Sequence, residues 1–145
     1  DLSTERTKDY VFDWERMLSF EGNTAPYLQY AYARICSIFR KWGGDRDDLS
    51  SSEIILSHPE ELALSRQLVD FPSVIDTSIS TFSPHKLCTH LHSIASSFAS
   101  FYENCNVLKG KSEKIVRSRL AMCDLTAREL KLGLELLGIN VPERM

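Results

Sequence analysis

The sequence predicts an all-α helical bundle, and three observations carry that reading. Apolar side chains recur every three or four residues through most of the chain, no segment alternates with period two, and most glycines and prolines fall where the periodic runs begin or end.

Each run can be bounded in turn. Thr24 before Ala25-Pro26 is a capping residue followed by a first-turn proline. Leu28, Ala31, Tyr32, Ile35, Ile38, Phe39 and Trp42 then mark one apolar face of a helix that stops at Gly43-Gly44. Residues 43–57 are acidic and serine-rich and read as a loop; its variable stretch at 45–53 is given no role. His58-Pro59-Glu60-Glu61 reads as a helix start, with acids in the first turn. Leu62, Leu64, Leu68 and Val69 carry that helix to Phe71-Pro72, and a shorter segment with Val74, Ile75 and Ile79 ends near Ser83-Pro84. Leu87, Leu91, Ile94, Phe98, Tyr102 and Cys105 define a long helix, and Lys109-Gly110-Lys111-Ser112 a turn. The most regular run, Val116, Leu120, Cys123, Ala127, Leu130, Leu134 and Leu137, is stopped by Gly138. The apolar Ile139, Val141 and Met145 predict that the short tail folds back on the bundle.

A chain of 145 residues with 43% hydrophobic and 26% charged side chains suits one packed domain with a real core. Disordered tails, collagen-like chains and low-complexity linkers are excluded. No apolar run approaches the roughly 20 residues needed to span a bilayer, so no membrane role is expected. No signal peptide opens the chain, and Asp1 in place of Met points to a piece of something longer. Cys36, Cys88, Cys105 and Cys123 form no Cys-x-x-Cys pair and read as reduced thiols of a cytoplasmic protein.

The net charge of −3 argues against bulk nucleic-acid binding, but it hides a strong split. Residues 25–42 carry Arg34, Arg40 and Lys41 and no acid, and residues 109–145 are also net positive, whereas the excess acid lies in residues 1–24 and 43–83. Positive charge is therefore local, as a patch requires.

Three constellations have chemistry to offer. Tyr27, Tyr30, Arg34, Ser37 and Lys41 fall on one side of the first long helix. Tyrosines beside Arg and Lys suit splayed single-stranded RNA bases, although tyrosines at the edge of a core give the same stripe. His85, Cys88 and His92 share a helix face and are all zinc-ligand types. They lack an obvious fourth ligand, so no metal is expected there. Lys109, Lys111, Lys114, Arg117, Arg119, Arg128 and Lys131 make a basic final helix that suits either a solvated face or a phosphate track. No glycine-rich phosphate loop and no Gly-x-Ser-x-Gly occurs, and no catalytic residue is assigned.

The run Phe12-Asp13-Trp14-Glu15-Arg16-Met17-Leu18-Ser19-Phe20-Glu21-Gly22-Asn23-Thr24-Ala25-Pro26-Tyr27-Leu28-Gln29-Tyr30-Ala31 closely resembles arginyl-tRNA synthetases where their catalytic domain joins the C-terminal helical domain. Leu68-Val69-Asp70-Phe71-Pro72, Phe101-Tyr102-Glu103-Asn104-Cys105, Arg119-Leu120-Ala121, Gly133-Leu134-Glu135-Leu136-Leu137-Gly138-Ile139 and the terminal Pro142-Glu143-Arg144-Met145 follow in the family's order. Many relatives have His at the position of Tyr32, which here faces the apolar side, so a packing change is expected.

The resemblance implies a helical anticodon-binding (DALR) domain at 25–145, with residues 1–24 as a connector from a catalytic domain of the same chain. It implies binding of the anticodon stem-loop of arginine tRNA. It also implies a full-length arginine–tRNA ligase, of which this segment lacks the ATP signatures and is therefore inactive alone. No cofactor is expected in this segment; ATP and magnesium belong to the parent enzyme, and the protein is expected to be a monomer. By position, the resemblance carries tRNA contact to Tyr27, Tyr30, Tyr102 and Met145, and Arg34 joins them from the stripe. Both Tyr27 and Tyr30 are then expected to be well exposed, with Met145 beside the tyrosines. The competing reading is a helical protein-interaction module in which the same tyrosines meet a partner protein.

Overall fold

In the computed structural model, residues 2–9, 11–19 and 21–145 are described, without the side chains of Arg16 and Met17. Phe20 and those two side chains, part of the resemblance run above, lie outside the described residues. The elements are α1 (Trp14–Met17), α2 (Ala25–Trp42), a 3-10 turn (Asp47–Leu49), α3 (Pro59–Ser80), α4 (Pro84–Asn104) and α5 (Glu113–Leu136). Among the described residues there is no strand.

Local chemistry explains most of the ends. Thr24 Oγ1 accepts the Tyr27 N–H at 3.4 Å, and Gly43, at φ +72°, closes α2 by donating to the Phe39 carbonyl. Ser112 caps α5 in the same way as Thr24. At the other end of α5, Gly138 is left-handed (φ +77°). Its N–H reaches the Glu135 carbonyl and the Ile139 N–H reaches the Leu134 carbonyl, each at 2.9 Å. That pair of bonds satisfies the last carbonyls and turns the chain back.

α3 differs from the expectation. It does not stop at Pro72 but runs through it to Ser80. A mid-helix proline removes one backbone bond and costs about 3 kcal/mol. Here Leu64, Leu68 and Phe71 before it are buried, and Val74 and Ile75 after it pack on the same core. Burying these side chains on one core outweighs the local preference to break.

α3 and α4 form a tight antiparallel hairpin. Its turn places Phe82 at φ +49°, with the Phe82 N–H on the Ile79 carbonyl at 3.1 Å and the Ser83 N–H on the Ser78 carbonyl at 2.9 Å. This is the helix-stop position that glycine normally fills. Phe82 gains nothing from the core in return, being 85% exposed.

α5 lies among α2, α3 and α4 and touches all three. Its approach to α4 is close at Gly133, where a Cβ would come within 2.5 Å of Leu91 Cδ2. Its approach to α3 is polar. The Glu61 carboxylate, fully buried, accepts the Ser57 N–H at 2.7 Å, the His58 N–H at 2.9 Å and the Arg119 Nε–H at 2.7 Å. His58 completes the reciprocal cap, its Nδ1 accepting the Glu60 N–H at 3.3 Å. Arg119 also donates to the Asn106 carbonyl at 2.9 Å.

The acidic loop is not idle. Leu49 is buried in the core, and Arg46 lies 4.3 Å over the Phe39 ring while donating to Asp124 at 2.8 Å. Ser118 Oγ accepts the Ile55 N–H at 2.8 Å, and Arg117 donates to the Asp48 carbonyl. The loop is therefore fastened to α2 and α5, a structural role the composition did not reveal. All four cysteines are buried and unpaired, and burial pushes the Cys88, Cys105 and Cys123 thiols up. Tyr32 is buried as expected, its hydroxyl pushed up to about 12 by burial and by Cys36.

Two carboxyls give the fold opposite pH dependences. Burial alone would raise Glu61, but the Arg119, Ser57 and His58 hydrogen bonds outweigh it and hold the carboxyl below its ordinary value. Its stabilisation is thus present above pH 4.5, the unfolded value, and fades as pH falls. Glu129 is buried with Oε2 unpartnered among the described residues, and burial raises it to about 7. The folded state therefore keeps this proton longer than the unfolded chain, and stability is lost as pH rises from 4.5 to about 7. Urea denaturation should show Glu61→Gln destabilised by about 3–5 kcal/mol at pH 7, with a weaker further loss on acidification. Glu129→Gln should gain about 1–3 kcal/mol at pH 8 and nothing at pH 4. A separate thermal melt should find Phe82→Gly more stable by about 1 kcal/mol, because the left-handed strain is relieved.

Candidate nucleic-acid interface

The start of α2 lies beside the middle of α4, and the two helices run in the same direction. Tyr27 meets His92, and about two turns further along α2 Arg34 meets Tyr102. Their shared edge carries the tyrosine and arginine stripe. Tyr30 is the open member, 48% exposed, and its neighbours Leu28 and Ile35 are buried as expected.

Tyr27 departs from the expectation. It is half-buried, with its ring centroid 5.4 Å from that of His92 and the planes tilted by 41°. The cause is the parallel course of α4, which brings an imidazole to the first turn of α2. The sequence pointed to aromatic residues on each helix but not to their pairing.

Arg34 and Tyr102 are also joined. The guanidinium carbon lies 4.3 Å above the Tyr102 ring, and Tyr102 leans on Phe98 at 6.1 Å. Both residues are half-buried. A cation over a ring face is worth about 0.5–2 kcal/mol, more as water is excluded. The arrangement presents a flat, positively charged plane, to which a nucleobase or a phosphate can be attracted.

The tail does fold back. Gln29 Nε2 donates to the Asn140 carbonyl at 2.7 Å, Arg40 Nη1 donates to the Glu143 carbonyl at 3.0 Å, and Ile139 and Val141 pack against the core. It thus runs along α2 toward the C-terminal end of that helix. Arg40 is roughly 20 Å along the axis from Tyr27 at 1.5 Å per residue. Met145, 59% exposed, follows two residues after the Arg40 anchor. Hydrogen bonds near both ends of α2 extend the tail along that helix, so Met145 follows an anchor well beyond Tyr27.

The basic final helix is largely committed elsewhere. Arg119 pairs with Glu61, Arg117 with the Asp48 carbonyl and Arg128 with Asp124 at 2.9 Å, and Lys131 lies 3.9 Å from Glu135. Lys109, Lys111 and Lys114 remain exposed. The zinc-type triplet is dispersed. Cys88 is buried, His92 packs on Tyr27, and among the described residues no group of three His, Cys, Asp or Glu converges on a metal position. His90, near them in sequence, faces α3 instead, 3.0 Å from the Gln67 carbonyl, and burial pushes its imidazole down. A cleft of about 590 Å³ lies between Leu2, Val11, Ser19 and Thr24 on one side and Leu28, Cys88, Leu134 and Leu137 on the other. Glu15 and Glu21 on its wall oppose a phosphate backbone.

Residues 28–145 match the DALR anticodon binding domain. The chain is 50% identical over its full length to an arginine–tRNA ligase of Pasteurella multocida, covering 26% of it. It is 46% identical to one of Salmonella typhimurium, covering 25% of it. Among solved structures, it superposes on the Plasmodium falciparum arginyl-tRNA synthetase with a TM-score of 0.89 at 37% identity, using all of this chain and 25% of that one. The Thermus thermophilus arginyl-tRNA synthetase gives 0.89 at 35% identity, over 99% of this chain and 25% of that one. The chain thus spans about a quarter of the curated relatives' length.

A double-mutant cycle on Arg34→Ala and Tyr102→Leu, followed by urea denaturation, should return a favourable coupling of about 0.5–2 kcal/mol. Additive losses would show that the guanidinium and the ring do not interact in solution.

Proposed function

The chain belongs to the DALR anticodon-binding domain family, and from that premise we propose that its α2–α4 face holds the anticodon stem-loop of arginine tRNA. The observation that carries this reading is Tyr30, an exposed ring on a helix with three basic residues and no acid. Splayed bases stack on such a ring, and the neighbouring cations attract the backbone that delivers them. Tyr27, Arg34, Tyr102 and Met145 extend the contact along α2.

In the full-length protein, this domain works for an arginine–tRNA ligase whose catalytic domain lies in the same chain. That domain uses ATP with magnesium to activate arginine and join it to the tRNA 3′ end. Residues 1–24 then connect the two domains, and 25–145 form the tRNA-binding unit. No helix among the described residues is long and apolar enough to cross a membrane. The proposed place of work is the cytoplasm. The enzyme acts as a monomer, and this segment alone binds tRNA without charging it.

Binding of fluorescently labelled arginine tRNA and of an unrelated tRNA, across a series of salt concentrations, tests the reading. Affinity for arginine tRNA should fall log-linearly with salt and exceed that for the other tRNA. Tyr30→Ala should weaken it by about 1–3 kcal/mol while the melting temperature stays near that of the native chain. Salt-independent binding that treats both tRNAs alike would instead favour a protein partner on this face.

A further inference from the structure

His92 belongs to a triplet of zinc-type residues that the fold takes apart, and among them it is the one that reaches the α2–α4 face. It packs against Tyr27 at a centroid distance of 5.4 Å and is half-buried. Tyr27 sits in the first turn of α2, where its backbone N–H is held by the Thr24 cap. A tyrosine ring is oriented by two side-chain torsions, and a ring left free in water samples several rotamers. A ring already packed on a neighbour has lost that freedom before a base arrives, so binding costs less entropy.

The surroundings favour the same role. Ser96 and Ala99 follow His92 at helical spacing on the same side of α4 and are small. On that side α4 therefore places only small side chains between His92 and Tyr102. Tyr27 and Arg34 are about 10 Å apart along α2, at 1.5 Å per residue, enough to accommodate a base laid against either pair.

We propose that His92 is a positioning residue of this face, which holds the Tyr27 ring in the attitude that receives a base. The inference rests on the reading of the face as an RNA site. The imidazole acts through Tyr27 and not by touching RNA, so what matters is its ring and not its charge.

The test uses the full chain and a labelled anticodon stem-loop of arginine tRNA, with His92→Ala, His92→Phe, Tyr27→Ala and the Tyr27→Ala/His92→Ala double variant. His92→Ala should weaken binding about three- to tenfold at an unchanged melting temperature. His92→Phe should restore it. The double variant should bind no more weakly than Tyr27→Ala alone. In NMR spectra, the ring-current shift of the Tyr27 ring protons should disappear in His92→Ala and return in His92→Phe. Should His92→Ala melt early, His92→Gln removes the ring while keeping a polar side chain of similar reach. Native affinity in the ring-free variants, alongside weakened binding by Tyr27→Ala, would overturn the positioning role and leave the RNA reading standing. Full affinity in Tyr27→Ala would overturn Tyr27's part in the face and the proposal with it. Loss in His92→Ala that Phe does not restore, or losses that add in the double variant, would also overturn it.

Discussion

The buried carboxylate of Glu61 is the constraint on which the rest of the bundle depends. One anion, removed from water, closes the start of α3 through two backbone N–H groups and binds Arg119 of α5. Arg119 then reaches the Asn106 carbonyl, in the turn that connects α4 to α5. An ion buried without partners would be very unfavourable, so these acceptor positions have to be filled, and filling them fixes three segments against each other. Because α5 touches α2, α3 and α4, its placement carries through to the face where Tyr30, Arg34 and Tyr102 lie. The proposed tRNA-binding face takes its geometry from this internal frame.

The far end of the α3–α4 hairpin shows what the frame tolerates. A proline in mid-helix and a phenylalanine in a left-handed turn both work against local preference. They persist because the hairpin is sealed by side chains such as Leu64, Leu68, Phe71 and Leu91, which bury apolar surface on a common core. Local strain of one or a few kcal/mol is small beside the burial of several such side chains. Glu129 is a further local cost, a carboxyl kept in the interior with one oxygen unpartnered.

Helix starts and stops at Thr24, His58-Pro59, Gly43 and Gly138 were legible in the sequence because their chemistry is local: a cap, a fixed φ or a left-handed glycine. The break expected at Pro72 was wrong, since the residues that hold α3 together there belong to another helix. For the same reason, the anchoring of the acidic loop by Arg46, Leu49 and Ser118 was not legible: each of its partners lies on a distant element. In the face itself, the stripe of Tyr27, Tyr30 and Arg34 could be read from helical periodicity. Its pairing with His92 and Tyr102 could not, because it depends on the register between α2 and α4. The commitment of Arg117, Arg119 and Arg128 to internal partners likewise needed the packing, and it removes most of α5 from contention as a phosphate track.

The α2–α4 face combines the exposed Tyr30 ring with three basic residues and no acid on α2. It is formed by two parallel helices and bordered by a tail that follows α2 toward Lys41. The most direct measurement is an NMR titration of the isotopically labelled chain with the anticodon stem-loop of arginine tRNA, with the backbone amides followed through saturation. The shifts should concentrate on α2 from Tyr27 to Lys41, on α4 from His92 to Tyr102 and on the tail after Asn140, while the amides around Glu61 stay in place. Shifts centred instead on Lys109, Lys111 and Lys114, with the α2 stripe unmoved, would contradict the assignment of this face.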